Sequence, residues 1–518
     1  MDTIVVLDFG GQTAQLIGRR IRDIGVYSEI MPGTTSAGEL LDLPGLEVKG
    51  IVLSGSPASV HDDDAPVPDA ALLTTGIPIL GICYGLQQLV HRGGGTVARS
   101  TAREYGRSRL AYTAEHALFD SVPEGFTSWM SHGDHVLELP EGATVIAKSE
   151  HGVPAAIVLR ENIVGIQFHP EVTHCEYGTK ILENFAIGIA GASRQWSLEN
   201  YVEDASAEIR ARLGDEPVLL LISGGVDSTV VAALLLHALD PEQVYLMYID
   251  TGLMRKNESA EVERSLRRLG AKHLDLIDAG EEFLTALAGV DDPERKREII
   301  GDLFITVQQR EIARRIPGDY FLAQGTLYTD MIESGGGVGK YAHVIKSHHN
   351  VRSPLVVAKR EAGRVVEPLS RLYKDEVRRL GELLGVLPEV IARHPFPGPG
   401  LAVRILGAVT EEKCRILRDA DAIYIDELRK RDLYDRIWQA FTVLLPIRSV
   451  GVTGDTRHYG YVLALRAVTS SDGMTADVYP FDGEDLLAIS ARITNQIAEI
   501  GRVVYDVSSK PPATIEWE

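Results

Sequence analysis

The sequence predicts two successive α/β domains, each built on a parallel sheet, followed by a smaller mixed α+β unit. Three observations carry this prediction. Short apolar runs alternate with helical patterns through the first 190 residues, and the alternation restarts beyond a polar helical stretch at 197–213. A Pro/Gly cluster, HPFPGPG at 394–400, then precedes helical patterns and further apolar runs. Strands alternating with helices are the signature of parallel sheets with helical crossovers. At 518 residues the chain is also too long for one core, and about three domains are expected at roughly 150 residues each.

In order along the chain, Thr3–Leu7, Gly50–Leu53 and Pro78–Ile82 read as buried parallel strands. Leu16, Ile17, Ile21 and Ile24 fall near helical spacing between the first two. Pro217–Ile222 opens the second alternation and is followed by a helix at Val226–Leu239 and a strand at Val244–Ile249. After the Pro/Gly cluster, Tyr461–Val468 and Arg502–Val507 read as strands. No internal repeat or low-complexity tract is evident.

Composition narrows the function classes. Hydrophobic residues make up 45% and charged residues 24%, the proportions of a folded globular chain. There are 52 Lys and Arg against 73 Asp and Glu, a net charge of −21, which argues against a nucleic-acid or membrane-surface binder. The excess acid reads as a solvated surface. Three scattered cysteines, Cys83, Cys175 and Cys414, fit neither a disulfide framework nor a Cys-based zinc pattern. No signal peptide and no apolar run of about 20 residues is apparent, so a cytoplasmic protein is expected.

The first chemical signal is G-x-C-x-G at 81–85, where a predicted strand runs straight into Cys83 and then a helix. That pattern places a thiol on a sharp strand-to-helix turn, where the helix dipole favours thiolate. A free cysteine is more often a small buried hydrophobe, but the flanking glycines favour a nucleophile. A cysteine nucleophile needs a base, and the base needs an orienting acceptor. His169 ends the strand-like run GIQFHPEV, and Glu171 lies two residues on; an extended chain would point both side chains the same way.

Together with DFGGQ, VLSGSPASV, GICYGLQQ, SHGDH and FHPEVTH, these residues make 1–190 resemble the class I glutamine amidotransferase family. The resemblance implies a Cys83–His169–Glu171 triad, a glutamyl-thioester intermediate and release of ammonia. It also implies an oxyanion hole from the backbone N–H groups of Tyr84 and Ser56. The family's S-G-G-P loop reads Ser54-Gly55-Ser56-Pro57 here, so the N–H survives while the glycine's conformational freedom does not.

The second signal is Ser223-Gly224-Gly225-Val226-Asp227-Ser228-Thr229, directly after a predicted buried strand and before a helix. Glycines and small hydroxyl residues there form a nest of N–H donors suited to phosphate, with Asp227 a candidate Mg2+ ligand. The loop resembles that of the ATP pyrophosphatases, which have an adenine nucleotide alpha hydrolase-like fold. The resemblance implies adenylation with pyrophosphate release. Ser334–Lys340, SGGGVGK, looks like a Walker loop but lacks the first Gly and the Ser or Thr after the Lys.

With both halves in this order, the chain resembles the GMP synthetase family over essentially its whole length. QGTLYTDMIES, IKSHHN, HPFPGPGL, LLPIRSVGV and the terminal RVVYDVSSKPPATIEWE carry the resemblance. It implies domains at 1–192 (amidotransferase), 193–393 (ATP pyrophosphatase) and 394–518 (dimerisation and binding of xanthosine monophosphate, XMP). It further implies glutamine, ATP and XMP as substrates, Mg2+ as cofactor, a homodimer, and XMP contacts from Arg297, Arg502, Lys510 and Glu516. Two departures stand out: Val351–Leu355 with a basic stretch at 358–364 replaces the family's V-G-G-L-P run, and Thr329 stands where proline is usual. His61 beside Asp62–Asp64 reads as an exposed polar loop, and His348-His349 receive no role. The alternatives are an NAD synthetase-like ligase, disfavoured by KPPATIEWE and HPFPGPGL, and a catalytically dead nucleotide-binding homologue, disfavoured by the intact triad and loop.

Overall fold

The computed structural model describes residues 1–316, 318–334, 354–453, 456–470 and 475–518. They form two compact units. The first holds Met1–Tyr201 and the short stretch from Thr329; the second holds Val202–Tyr328 and the described residues from 354 onward.

The first unit is organised by one nine-stranded sheet. Tyr27–Pro32, Asp2–Asp8, Glu47–Leu53, Ile79–Ile82 and Ile163–Ile166 lie side by side, all parallel. Their apolar runs are almost wholly buried, as a sheet covered on both faces requires. The parallel prediction holds for this half only. Pro154–Arg160, Thr144–Ser149, Thr96–Tyr112 and Thr127–Glu138 continue the sheet antiparallel. Thr96–Tyr112 and Thr127–Glu138 alternate buried with exposed polar residues and so lack the continuous apolar run that marks a buried strand, whereas Pro154–Arg160 has such a run, PAAIVL, and pairs antiparallel all the same. In the helix Ala14–Asp23, Ile17 and Ile21 are buried against the sheet while Leu16 is 36% exposed, so the predicted stripe is one residue too wide.

The second unit contains an all-parallel five-stranded sheet in the order His273–Asp278, Val244–Asp250, Val218–Ile222, Phe321–Ala323, Val365–Val366. A separate sheet pairs Gln439–Thr453 with Thr456–Thr469 antiparallel, and Ile500–Tyr505 joins the latter strand in parallel. Helices Glu411–Lys430 and Gly483–Gln496 bury Ile416, Leu417, Ile489 and Ile493. Leu219, Met247, Leu401, Ile416, Leu463 and Ile493 belong to one apolar cluster. Residues of both the second and the third predicted segment thus share one apolar core within the second unit. Among the described residues no helix is long and apolar enough to cross a membrane.

Candidate active sites

The strand Ile79–Ile82 ends at Cys83, whose φ of 53° and ψ of −104° turn the chain abruptly into the helix Tyr84–Arg92. A non-glycine residue in such a conformation stores about 1–3 kcal/mol, and that strain is held by close packing on both sides. A methyl group on Gly81 would lie 2.7 Å from the Gly85 carbonyl carbon, and one on Gly85 would lie 2.3 Å from Leu53 O. The G-x-C-x-G spacing is thus a steric requirement of the elbow.

The Cys83 N–H donates to Ile166 O at 2.8 Å, which fixes the elbow against the end of the neighbouring strand. That strand leads to His169, whose own N–H donates to Trp129 O at 2.9 Å. His169 Nδ1 donates to Glu171 Oε1 at 2.7 Å, and the Glu171 side chain is fully buried. This leaves Nε2 for the thiol. The pairing is the one expected, but its backbone cause differs. Residues 169–172 form a turn, not an extended run. The turn is pinned by Arg20 Nε donating to Glu171 O at 3.2 Å and by Gly178, where a methyl group would stand 1.8 Å from Pro170 O.

Burial opposes charge on His169, but the Glu171 carboxylate and hydrogen bonds to Cys83 and Glu171 outweigh it and hold the pKa well above the ordinary value. The site thereby favours an imidazolium beside the sulfur. The Cys83 thiol donates weakly to Ser131 O at 3.7 Å.

A methyl on Gly55 would lie 3.2 Å from His169 Cε1 and 3.9 Å from Cys83 Cβ, so the 54–56 loop borders the sulfur directly. Ser54 Oγ accepts from Phe9 N at 3.1 Å and donates to Gly55 O at 3.0 Å, fixing that loop. Ser56 is absent from the residues with positive φ, so its side chain adds no backbone strain and the glycine is not needed there. Tyr84 is buried, and its N–H lies in the first helical turn, where no intrahelical carbonyl accepts it.

In the second unit Val218–Ile222 delivers Ser223–Thr229 to the start of the helix Val226–Ala238. Gly224 adopts φ +80°, which a side chain would resist. Ser223 Oγ accepts from Gly225 N at 3.3 Å and shares a hydrogen bond with Ser228 Oγ at 3.1 Å, while Thr229 Oγ1 donates to Gly225 O at 2.9 Å. Asp227 is met by a lysine that sequence reading missed: Lys374 Nζ donates to both carboxylate oxygens at 2.6 Å. Arg393 Nη1 donates to Gly224 O at 3.0 Å.

The four residues expected at XMP are placed differently from one another. Glu516 accepts twice from Arg404, at 3.0 and 2.8 Å, and once from Gln439 at 2.7 Å. Lys510 lines an open cleft of about 380 Å³ with Thr469, Ser470, Thr475, Ala476 and Asp477. Arg502 is exposed on Ile500–Tyr505. Arg297 pairs with Glu294 at 2.5 Å on the helix Pro293–Arg315. Its neighbour Lys296 is the buried cation instead, donating to Ala402 O, Ile405 O and, at 2.5 Å, Glu518 Oε2.

Arg404, also fully buried, packs its guanidinium 4.1 Å from the Phe441 ring centroid and leaves Nη1 without a partner among the described residues. A charge inside the apolar run GLAVRIL is the one sequence signal that could have found it. Lys374, Lys296 and Arg393 carried no such signal. His61 is anchored to Val97 O at 2.8 Å, and no metal-type cluster occurs among the described residues. Thr329 is the second residue of the helix Tyr328–Ser334, a first-turn position that suits proline and threonine alike. The near-Walker run at 335–340, His348-His349 and the departure at 351–353 lie outside the described residues.

His394, first residue of the Pro/Gly cluster, ties that cluster to the C-terminal sheet. Its Nδ1 accepts from Ala440 N at 3.1 Å and its Nε2 donates to Tyr434 O at 3.0 Å, which requires the neutral ring. Burial, with Arg255 and Arg429 nearby, pushes its pKa down from 6.5 to about 4, against the Tyr434 hydrogen bond. The folded chain therefore binds this proton less readily than the unfolded chain. The stabilisation is complete above pH 6.5 and is lost as pH falls toward 4, by roughly 3 kcal/mol in all. The urea midpoint of the intact chain is expected to drop over that window, and His394→Gln to flatten the drop; an unchanged slope in the variant would refute the assignment.

Comparison with known proteins first gives the class. Residues 5–189 match the profile described as Glutamine amidotransferase class-I, 202–295 match Asparagine synthase, and 426–517 match GMP synthase C terminal domain. This is an amidotransferase joined to a synthetase. The full-length relatives are more specific. The chain is 50% identical over 516 residues to the GMP synthase [glutamine-hydrolyzing] of Aquifex aeolicus, covering 99% of each protein. It is 49% identical to that of Thermosipho africanus, covering all of both, and 50% identical to that of Bartonella bacilliformis, covering 100% of this chain and 99% of the other. The chain belongs to the glutamine-hydrolysing GMP synthase family.

Proposed function

We propose that the chain makes GMP from XMP, drawing nitrogen from glutamine and activation energy from Mg-ATP. One observation carries the reading: an oriented Cys83–His169–Glu171 triad and the Ser223–Thr229 nest occur together in a chain about half identical, end to end, to named GMP synthases.

In the first unit the Cys83 thiolate attacks the glutamine carboxamide. The oxyanion is met by the N–H groups of Ser56 and Tyr84, and His169 protonates the departing ammonia. His169 then deprotonates the water that hydrolyses the thioester, while Glu171 keeps the ring oriented. In the second unit the XMP carbonyl oxygen attacks the α-phosphorus of ATP and pyrophosphate leaves. The loop N–H groups and Lys374 offset charge on that pyrophosphate. Ammonia then attacks the activated carbon and displaces AMP, a far better leaving group than the original oxygen.

Asp227 suits Mg2+ held chiefly by ATP's own phosphates and by water, since it offers one partly exposed carboxylate and its partner Lys374 is half-exposed at the surface. Bound there, the ion would neutralise phosphate charge. Arg297, Arg502 and Lys510 supply cations for the XMP phosphate, and Glu516 orients the purine with Arg404 behind it.

The modules are 1–192, 193–393 and 394–518, the last mediating a cytoplasmic homodimer. The test is product analysis with XMP or deamido-NAD as acceptor. AMP, pyrophosphate and GMP formed only with XMP support the reading; ADP formation, or turnover with deamido-NAD instead, would overturn it.

A further inference from the structure

Building on that function, we infer that Arg393 is a positioning residue for the ATP loop and that the Arg393–Arg404 segment ties this loop to the carboxylate of Glu516. Arg393 reaches neither substrate in this reading. It acts through a carbonyl.

The Gly224 peptide is the left-handed turn of the nest, and its carbonyl oxygen accepts from Arg393 Nη1 at 3.0 Å. Holding that oxygen away from the nest leaves the N–H groups of the first helical turn, from Val226 on, to face a phosphate. The same guanidinium pairs with Glu258 at 3.3 Å and with Glu261 at 2.9 Å. The Glu258 side chain is only 4% exposed, and its Oε1 would lie 3.3 Å from a methyl on Gly224. Without Arg393 the buried Glu258 carboxylate would border the phosphate loop with only the Arg255 N–H, at 3.0 Å, and the Arg255 charge to offset it. One side chain thus both orients the loop and offsets much of the charge that would repel its ligand.

The other end of the tie is equally concrete. Pro395 O, two residues on, accepts from Gln439 Nε2 at 3.3 Å, and the same nitrogen donates to Glu516 Oε1 at 2.7 Å. Arg404, at the far end of the segment, donates twice to Glu516. The segment between is stiff. It holds three prolines, and Gly400, at φ +63°, approaches so closely that a methyl there would lie 2.4 Å from Leu253 O. Leu401 N also donates to Leu253 O at 2.8 Å. Displacing the loop therefore strains the Glu516 clamp, and the reverse.

The experiment is ammonium-dependent GMP formation by the full chain at varied ATP and varied XMP, for wild type, Arg393→Met, Gln439→Leu and the double variant. Circular dichroism and the urea midpoint of the full chain check that each protein is folded. Arg393→Met is expected to raise the KM for ATP about 10- to 100-fold, the worth of a charged hydrogen bond, with a smaller fall in kcat. Gln439→Leu is expected to raise the KM for ATP as well as for XMP, and the double variant to show less than the product of the two ATP effects.

If Arg393→Met does not fold, Arg393→Lys carries the same comparison with a smaller shift. An ATP KM within two-fold of wild type in the Arg393 variant, or Gln439 and Arg393 effects that multiply independently, overturns the inference. Failure of the wild type itself to form GMP would instead overturn the function on which it rests.

Discussion

Replacing Cys83 by alanine is expected to lower glutamine-dependent GMP formation by at least about 1000-fold while leaving ammonium-dependent formation within about two-fold of wild type. The thiol is the only nucleophile held at the elbow, and the imidazole that would serve it is already oriented by Glu171 at 2.7 Å. Alanine removes the sulfur without adding bulk and keeps the Cβ, so the strained turn and its packing glycines are undisturbed. The second site lies in a different compact unit and shares none of these residues. Initial rates with glutamine and with ammonium chloride, on one preparation, check it. Loss of both activities in a folded variant would show that the elbow supports more than thioester chemistry.

The reciprocal variant, Asp227→Asn, is expected to cut synthesis from both nitrogen sources by roughly 100-fold or more, the scale of losing one preorganised charge at a reacting centre. Glutamine hydrolysis should survive. Asn keeps the shape of the side chain and its place at the start of the helix Val226–Ala238, so the effect isolates charge. It also removes the charge that faces Lys374 and with it the proposed Mg2+ contact. AMP release at saturating XMP measures it, with raised Mg2+ as the informative addition. Partial recovery at high Mg2+ is predicted, whereas an undiminished rate would dissociate Asp227 from the metal.

The two candidate centres were legible in the sequence because each is nearly local. Gly81, Cys83 and Gly85 lie within five residues, as the elbow demands, and the 223–229 loop is continuous. His169 and Glu171 were paired correctly for the wrong backbone reason, since a turn and not a strand brings them together. In the antiparallel half of the first sheet, Thr96–Tyr112 and Thr127–Glu138 lack an unbroken apolar run, and Pro154–Arg160, which has one, carries no local mark of its antiparallel pairing. Lys374, Lys296, Arg393 and Arg404 were missed for a different reason. Each meets a carboxylate or carbonyl more than 100 residues away, and nothing in the local pattern announces such a partner. Glu516 shows the converse: the resemblance made it a ligand contact, and only the structure revealed the arginine and glutamine that already hold it.

Nitrogen released at Cys83 should be the nitrogen fixed in the second unit. Amide-15N glutamine, XMP and Mg-ATP supplied to the intact chain, with label followed into product by mass spectrometry, test this. GMP carrying one 15N is expected, formed in step with AMP and pyrophosphate, with no labelled GMP from the Cys83→Ala variant. Unlabelled GMP, or labelled ammonia accumulating with no GMP, would contradict it.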